Sequence, residues 1–165
     1  MVSSLISSVS GVVEGVGPDW ADVSIGAITL RVNVPGSTID SMGTVGDQVR
    51  LYTSLQVRED SLTLFGFLTQ EERHTFDTLL GISGIGPRLA LAVLSRFTPG
   101  SLAVAVDGGD TRAFSAVPGV GNRTASRIIL ELKGKLDLEW GDTSAVSGDI
   151  DAVEALVALG YTDPE

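Results

Sequence analysis

The chain has 165 residues and a formal net charge of −10, with 43% hydrophobic and 19% charged residues. This balance is typical of a soluble globular protein with one or two small domains. There is no cysteine and only one histidine, His74, which excludes disulfides, thiolate metal sites and histidine-rich metal clusters. No apolar run reaches the roughly 18 residues of a membrane span, and no basic signal-peptide region opens the chain. A cytoplasmic protein without membrane contact is therefore expected.

The acidic total hides an uneven distribution of charge. Residues 70–136 carry 8 basic and 6 acidic groups, whereas residues 1–69 carry 3 and 7, and residues 137–165 carry 0 and 8. Binding of a polyanion depends on the local face rather than on the total charge. The middle of the chain is therefore the candidate for phosphate binding.

Residues 1–68 predict a small β-barrel domain. Polar and apolar residues alternate in short runs, and Gly, Pro, Asn and Asp residues separate those runs. The predicted strands are Val9–Glu14, Trp20–Ser24, Ile28–Val34, Gln48–Val57 and Leu62–Phe67. Five antiparallel strands in about 60 residues indicate a closed barrel of the OB type.

Two adjacent carboxylates, Glu59 and Asp60, lie at the predicted turn between the last two strands. Exposed acidic turn residues often serve only solubility. Paired carboxylates can also carry acid–base chemistry, but neighbours on a turn point apart, and no His or Lys accompanies these two. Catalysis at this turn is not expected.

Thr69 and Glu72 form a capping-box pattern, and the periodicity then becomes helical, so a second, all-α domain is predicted at 69–136. Its predicted helices cover 70–80, 87–96, 99–106, 111–116 and 122–135. An acidic linker is predicted at 137–148. One amphipathic helix follows at Asp149–Leu159, inside an incomplete C-terminal domain at 149–165.

An internal repeat organises the helical region. Ile82-Ser83-Gly84-Ile85-Gly86-Pro87-Arg88 returns 35 positions later as Val117-Pro118-Gly119-Val120-Gly121-Asn122-Arg123. Two glycines one residue apart allow a sharp turn between helices and close approach of a ligand to the main chain. The following helix presents free N–H groups beside an arginine, which favours a phosphate ligand. The repeat therefore predicts two helix–hairpin–helix units that grip a nucleic-acid backbone without reading its sequence.

The predicted DNA-binding residues come from these hairpins and from the helix that follows the second one. They are Gly84, Ile85, Gly86, Pro87, Arg88, Gly119, Val120, Gly121, Asn122, Arg123 and Arg127. A dinucleotide-binding loop is excluded because the third glycine is missing, and a P-loop is excluded because no Gly-Lys-Ser/Thr follows. No catalytic residue, cofactor or metal is predicted.

Several motifs occur in a fixed order along nearly the whole chain. They are the acidic turn Val57-Arg58-Glu59-Asp60 with Leu64-Phe65-Gly66-Phe67, both hairpins, and Ala155-Leu156-Val157-Ala158-Leu159-Gly160-Tyr161. This combination resembles the RuvA family of Holliday-junction-binding proteins. The resemblance implies a homotetramer, or an octamer, that holds a four-way DNA junction open. It also implies that Glu59 and Asp60 form a central acidic pin that repels phosphates.

The resemblance implies partners as well. They are the RuvB motor, which uses ATP and drives branch migration in recombination and repair, and the RuvC resolvase. The third domain of the family is UBA-like, and only its first helix is expected here, so loss of the RuvB contact is expected. Two departures from the family lower the positive charge: Ser7, Ser8 and Ser10 near the start, and Asn122. Weaker binding of DNA is expected from them.

Two other classes of protein share parts of this pattern. A helix–hairpin–helix DNA glycosylase or lyase needs a catalytic Lys or Asp just past the hairpin, where this chain has Asn122, Arg123, Thr124 and Ala125. A single-strand-binding OB protein needs exposed aromatic side chains, but only 5% of residues are aromatic. Both alternatives are therefore disfavoured.

Overall fold

The computed structural model describes residues 5–141, with side chains over 5–135. Predicted linker residues 142–148, the predicted helix Asp149–Leu159 and the predicted incomplete domain at 149–165 lie outside the described residues. The strands are β1 (Ser8–Val16), β2 (Trp20–Ser24), β3 (Thr29–Asn33), β4 (Gln48–Val57) and β5 (Leu62–Phe67). The helices are α1 (Gly36–Ser41), α2 (Gln70–Leu80), α3 (Pro87–Leu94), α4 (Pro99–Asp107), α5 (Thr111–Ser115) and α6 (Asn122–Gly141).

The five strands form a closed barrel in the order β1-β2-β3-β5-β4, and helices follow it, which confirms the predicted α+β class with an OB-type barrel before an all-α region. All five predicted strands are present, with ends that differ by at most two residues. Alternate strand residues point inward, and their small branched side chains fill the narrow interior. The buried core comprises Val9, Val13, Ala21, Val23, Val32, Val34, Met42, Val49, Leu51 and Leu64.

One strand pair corrects the prediction of a wholly antiparallel barrel. β3 and β5 are parallel, with Val32 opposite Leu64 and Asn33 opposite Phe65, while the other four pairs are antiparallel. A closed ring with an odd number of strands cannot alternate direction all the way round. At least one neighbouring pair must therefore run parallel, and in this barrel the β3–β5 pair does so.

Helix α1 was not predicted, because the sequence indicates only a turn at these positions. α1 has six residues, begins after Pro35 and has no side-chain cap at its N-terminus. Instead, the amide of Gly36 donates to the Ser95 hydroxyl at 2.9 Å, and the Ser37 hydroxyl donates to the Leu94 carbonyl at 3.2 Å. Because these partners lie some 57 to 59 positions away in sequence, no local pattern reveals this helix.

The other helices begin where their capping residues predict. Thr69 and Glu72 form a complete capping box on α2, and Thr98 and Asp110 cap α4 and α5 with their side chains. α6 extends to Gly141, past its predicted end at 135, so residues 137–141 of the predicted linker are helical. Leucine and glutamate favour the helix there, and no proline interrupts it.

Within residues 5–141, no single helix is long and apolar enough to cross a membrane. Helices α3 and α4 have the required length and hydrophobicity only when they are taken together, and a 94° bend separates them.

Aromatic packing joins the barrel to the helices. The Phe76 ring of α2 lies 5.0 Å from the Phe65 ring and 4.9 Å from the Phe67 ring, both on β5. Phe67 and Phe76 are fully buried. The Ser54 hydroxyl on β4 donates to the Asp77 carboxylate at 2.7 Å, which adds a polar contact to the same interface. Barrel and hairpin helices thus belong to one compact unit that ends at Leu132, and a second unit starts at Lys133.

A cross-strand ion pair on the barrel surface gives a pH prediction. The Arg31 guanidinium donates two hydrogen bonds to the Asp22 carboxylate, at 2.8 and 2.9 Å, and lies 3.9 Å from the centre of the Trp20 ring. The hydrogen bond from Arg31 holds the pKa of Asp22 below its usual value. The pair therefore stabilises the fold above the pKa of an unfolded aspartate, and this contribution is lost as the pH falls through the lower folded pKa.

We expect Arg31→Gln to raise the pKa of Asp22 toward its ordinary value, as measured by NMR titration of the side-chain carboxyl carbon. Because the pair is largely exposed, the change in thermal stability at neutral pH is expected to be small. The Arg50→Gln variant serves as the control, since Arg50 does not contribute to the pKa shift of Asp22. An Asp22 pKa that is the same in wild type and Arg31→Gln would show that the pair does not form in solution.

Candidate nucleic-acid interface

The two hairpins have equivalent main-chain hydrogen bonds at an offset of 35 residues. The Ile82 amide donates to the Leu79 carbonyl at 3.0 Å, and the Val117 amide donates to the Phe114 carbonyl at 3.0 Å. Within the turns, the Ile85 amide donates to Ile82 and the Val120 amide donates to Val117. The repeat in sequence is therefore a repeat in structure.

The first glycine of each hairpin has a backbone conformation that disfavours other residues. Gly84 has a φ of +85° and Gly119 a φ of +86°. A Cβ atom added at Gly84 would lie 3.2 Å from a terminal nitrogen of Arg127, and one added at Gly119 would lie 3.3 Å from a methyl group of Leu89. Both positions therefore need glycine for the turn itself.

We expect Gly84→Ala and Gly119→Ala each to lower the free energy of unfolding by about 1 kcal/mol, because alanine in the left-handed region is strained. Urea denaturation of the whole chain measures this change. Gly100→Ala is the matched control, since Gly100 has no positive φ and open space around its Cα atom. Equal stability of all three variants would contradict the strained-turn assignment.

The second glycine of each hairpin is different. Neither Gly86 nor Gly121 has a positive φ, and a Cβ atom added at either would meet nothing within 4 Å. Among the described residues, no oxygen accepts a hydrogen bond from the amide of either glycine. Glycine is favoured over alanine just before a helix, and at these two positions it also leaves the main chain open to close approach by an external ligand.

The remaining predicted hairpin residues divide into buried and exposed groups. Ile85 and Val120 are 6% and 5% exposed, so their side chains fix the turns to the core, and only their main-chain atoms can meet a ligand. Arg88 and Arg123 are exposed, one residue into α3 and α6. Each hairpin thus places one accessible guanidinium beside the first turn of a helix, an arrangement suited to phosphate.

Pro87 and Asn122 occupy equivalent positions at the start of the two helices. Pro87 is the first residue of α3, where its missing N–H costs no hydrogen bond. The Asn122 side-chain oxygen accepts a hydrogen bond from the Ser115 hydroxyl at 3.0 Å, so this oxygen binds the preceding helix. The first hairpin therefore presents one amide fewer than the second.

Contacts between the two repeats hold the hairpins together. The Arg127 guanidinium, on α6, donates to the Ser83 carbonyl of the first hairpin at 3.1 Å. In return, Leu89 of α3 lies against Gly119 of the second hairpin. Arg127 was predicted from sequence as a DNA-binding residue, and the structure gives it a positioning contact that sequence did not reveal.

The acidic turn lies at the tip of the β4–β5 hairpin. The Arg58 amide donates to the Ser61 carbonyl at 2.8 Å, and Val57 pairs with Leu62 just below. Glu59 and Asp60 are both exposed. Two carboxylates therefore project into solvent from a hairpin that is anchored in the barrel.

A cleft links the base of this turn with the first hairpin. Its volume is about 370 Å³, and Arg58 and Ser61 line it together with Pro87 and Arg88. Its lining does not include Glu59, Asp60 or any residue of the second hairpin. Arg58 was not predicted as a site residue, although it is the only basic residue between Arg50 and Arg73 and directly precedes the two carboxylates.

Two family models match successive parts of the chain. Residues 6–66 match the RuvA N terminal domain, and residues 76–135 match the SAM-like helix-hairpin-helix tandem. The Holliday junction branch migration complex subunit RuvA of Chloroflexus aggregans is 42% identical over 165 residues, covering 98% of this chain and 85% of the relative. The subunits of the same name from Dehalococcoides mccartyi and Thermoanaerobacter sp. are both 43% identical, covering 98% of this chain and 84% and 86% of the relatives. The chain therefore belongs to the RuvA family.

Proposed function

We propose that this protein binds four-way Holliday junctions, without sequence preference, as the DNA-binding subunit of a branch migration complex. The observation that carries the proposal is the duplicated hairpin whose second glycine, Gly86 or Gly121, has open space and a free amide among the described residues. Family membership supports the same function, because the relatives are named as subunits of that complex.

In this proposal the hairpins hold the phosphate backbone of a DNA arm. The amides of Gly86 and Gly121 and the first-turn amides of α3 and α6 donate to phosphate oxygens, and Arg88 and Arg123 add charge. Because these groups contact phosphates rather than base edges, the grip is independent of sequence. Arg127 supports the first hairpin through Ser83 and lies close enough to Gly84 to share in the phosphate contact.

Glu59 and Asp60 act as a pin in the proposed complex. Four copies of the chain surround the crossover as a homotetramer, alone or stacked as an octamer, and bring eight carboxylates to its centre. Their charge repels the phosphates of the arms and favours separated strands. Exposure of both carboxylates at an anchored hairpin tip supports this role.

The chain is proposed as a binding subunit rather than as an enzyme. In the branch migration complex RuvB supplies ATP hydrolysis and moves the DNA, and RuvC later cuts the junction. The expected loss of the RuvB contact stays a prediction, because residues 149–165 lie outside the described residues. The complex acts in the cytoplasm, in recombination and repair of DNA.

The two alternatives find less support. A single-strand-binding barrel exposes aromatic rings, but on this barrel Phe65 and Phe67 are at most 6% exposed, and Trp20 and Tyr52 are half-buried. A glycosylase-like enzyme needs a catalytic residue after the second hairpin, where Thr124 and the buried Ala125 stand. Neither alternative accounts for the two exposed carboxylates of the pin.

A gel-shift titration separates these functions. The same strands are presented as a four-way junction, as duplex and as single strand. A junction-binding subunit binds the junction most tightly, with sedimentation showing a tetramer or larger assembly. Tighter binding of single strand would favour the single-strand-binding alternative, and release of a base from damaged duplex would favour the glycosylase alternative.

We expect Arg88→Ala and Arg123→Ala each to flatten the dependence of log affinity on log salt by about one unit per copy of the chain, about four units for the proposed tetramer, because each arginine releases about one counterion from the DNA. The affinities are measured over a series of salt concentrations. Arg112→Ala is the control, since Arg112 is exposed on α5 and belongs to neither hairpin repeat. Salt slopes that match wild type would remove both arginines from the interface.

A further inference from the structure

The cleft between the pin hairpin and the first helix–hairpin–helix unit has walls from both parts of the molecule. One wall is formed by β4 and β5 up to the base of the pin, and the other by the start of α3. The residues that matter here are Asn33, Gln56, Arg58, Ser61, Arg88 and Leu91. The cleft thus lies between the base of the acidic turn and the first hairpin, which is proposed to bind phosphate.

The charges of the cleft favour an anionic ligand. Arg58 and Arg88 come from different elements and are both exposed, and neither forms an ion pair with a described carboxylate. Asp19 also lines the cleft, so two cations face one carboxylate there. Two arginines that converge on one space are suited to a phosphate group.

The rest of the lining suits a nucleobase. The Gln56 amide nitrogen donates inward to the Ser54 hydroxyl at 3.1 Å, and the Asn33 amide nitrogen donates to the Leu64 carbonyl at 3.4 Å. Each amide is therefore held in place, and its oxygen is available to accept a hydrogen bond from a base amino group. Leu91 and Pro87 add an apolar surface against which the flat face of a base can pack.

The size of the cleft selects the ligand further. A volume of about 370 Å³ is near the lower end of ordinary small-molecule sites, which span roughly 300–1,000 Å³. It admits a single nucleotide and excludes a double helix. Moving a nucleotide out of a stack costs a few kcal/mol, and least when the base is already unpaired.

We propose that this cleft binds one unpaired nucleotide of the strand that leaves its partner beside the pin. The phosphate lies between Arg58 and Arg88, and the base lies against Leu91 within reach of Asn33 and Gln56. The inference rests on the proposed junction binding and deepens it. In this arrangement the cleft binds the strand that the carboxylates of the pin displace.

The test places 2-aminopurine at the crossover of a four-way junction and measures how strongly acrylamide quenches its fluorescence. A base in the cleft is shielded from acrylamide, whereas a base that is unpaired but in solvent is not. Gel shifts on the same samples report junction binding independently. Ser61→Phe fills the cleft, Gln56→Leu removes one hydrogen-bond acceptor, and Gln48→Leu on the far end of β4 is the matched control.

We expect wild type and Gln48→Leu to protect the base. Ser61→Phe and Gln56→Leu should raise acrylamide quenching severalfold while the junction is still shifted in the gel. Equal quenching in all four proteins, with the junction bound, would show that the cleft does not bind the nucleotide and would leave the proposed junction binding intact. If wild type does not shift the junction in the gel, both the proposed junction binding and the nucleotide site in the cleft are wrong. A changed oligomeric state of Ser61→Phe in sedimentation would assign the cleft to contact between copies and also overturn the proposal.

Discussion

Replacement of both Gly86 and Gly121 by alanine is expected to weaken junction binding by at least about 100-fold without changing the melting temperature. A hydrogen bond to a charged group is worth roughly 1.5–3 kcal/mol, so losing one such bond at each hairpin costs at least about 3 kcal/mol of binding free energy. The added methyl groups project into open space, which the phosphate occupies in the proposed complex. They would hold the phosphate away from the amides.

Stability is expected to hold because two small effects oppose each other at these positions. Alanine is a poorer residue than glycine just before a helix, by a few tenths of a kcal/mol to about 1 kcal/mol. Alanine also restricts the unfolded chain, which stabilises the fold by about 0.4–1 kcal/mol. Valine at Gly84 or Gly119 is a less informative change, because the positive φ there would mix loss of stability with loss of binding.

Gly100→Ala is the control for the double variant, since it adds the same methyl group in open space near the start of a different helix, α4. Affinity is measured by gel shift and stability by thermal denaturation. If the Gly86→Ala/Gly121→Ala chain binds a junction as tightly as wild type, the hairpin amides do not contact phosphate.

Neutralising the pin is expected to lower selectivity for junctions over duplex. Glu59→Gln with Asp60→Asn removes two negative charges that face phosphates in the proposed complex. Each repulsion is worth about 1 kcal/mol at 4 Å in water, so binding of plain duplex should tighten by roughly tenfold or more. Junction binding should stay the same or tighten slightly, because the open junction already places its phosphates away from the pin.

The matched control changes net charge equally without touching the pin. Glu71→Gln with Asp107→Asn also raises the net charge from −10 to −8, and both residues are exposed on helices. Selectivity is the ratio of the two affinities at one salt concentration. If both double variants retain the wild-type ratio, Glu59 and Asp60 are solubilising turn residues and nothing more.

Local patterns in the sequence were enough to predict the hairpins, the helix starts and the five strands. Glycine spacing, capping residues and strand alternation act within a few neighbouring residues, so they can be read without tertiary information. The acidic turn was found for the same reason, because Glu59 and Asp60 are adjacent in sequence.

The features that sequence did not reveal depend on distant partners. Helix α1 is tied to Ser95, Arg127 reaches back 44 positions to Ser83, and the parallel β3–β5 pair follows from closure of the ring. The cleft at Arg58 exists only because the barrel and the first hairpin meet. The predicted domain boundary at 68/69 stays a prediction, since both predicted domains contribute to the compact unit that ends at Leu132.

The exchange of contacts between the repeats has a consequence for how this motif can change. Arg127 supports the first turn and Leu89 the second, so each turn depends on a side chain from the other copy. A single repeat cut out as a peptide would lack the side chain that lies against its own first glycine. These contacts fix the distance between the two hairpins, and in the proposed complex this distance sets the spacing of the phosphates that the pair contacts along a DNA arm.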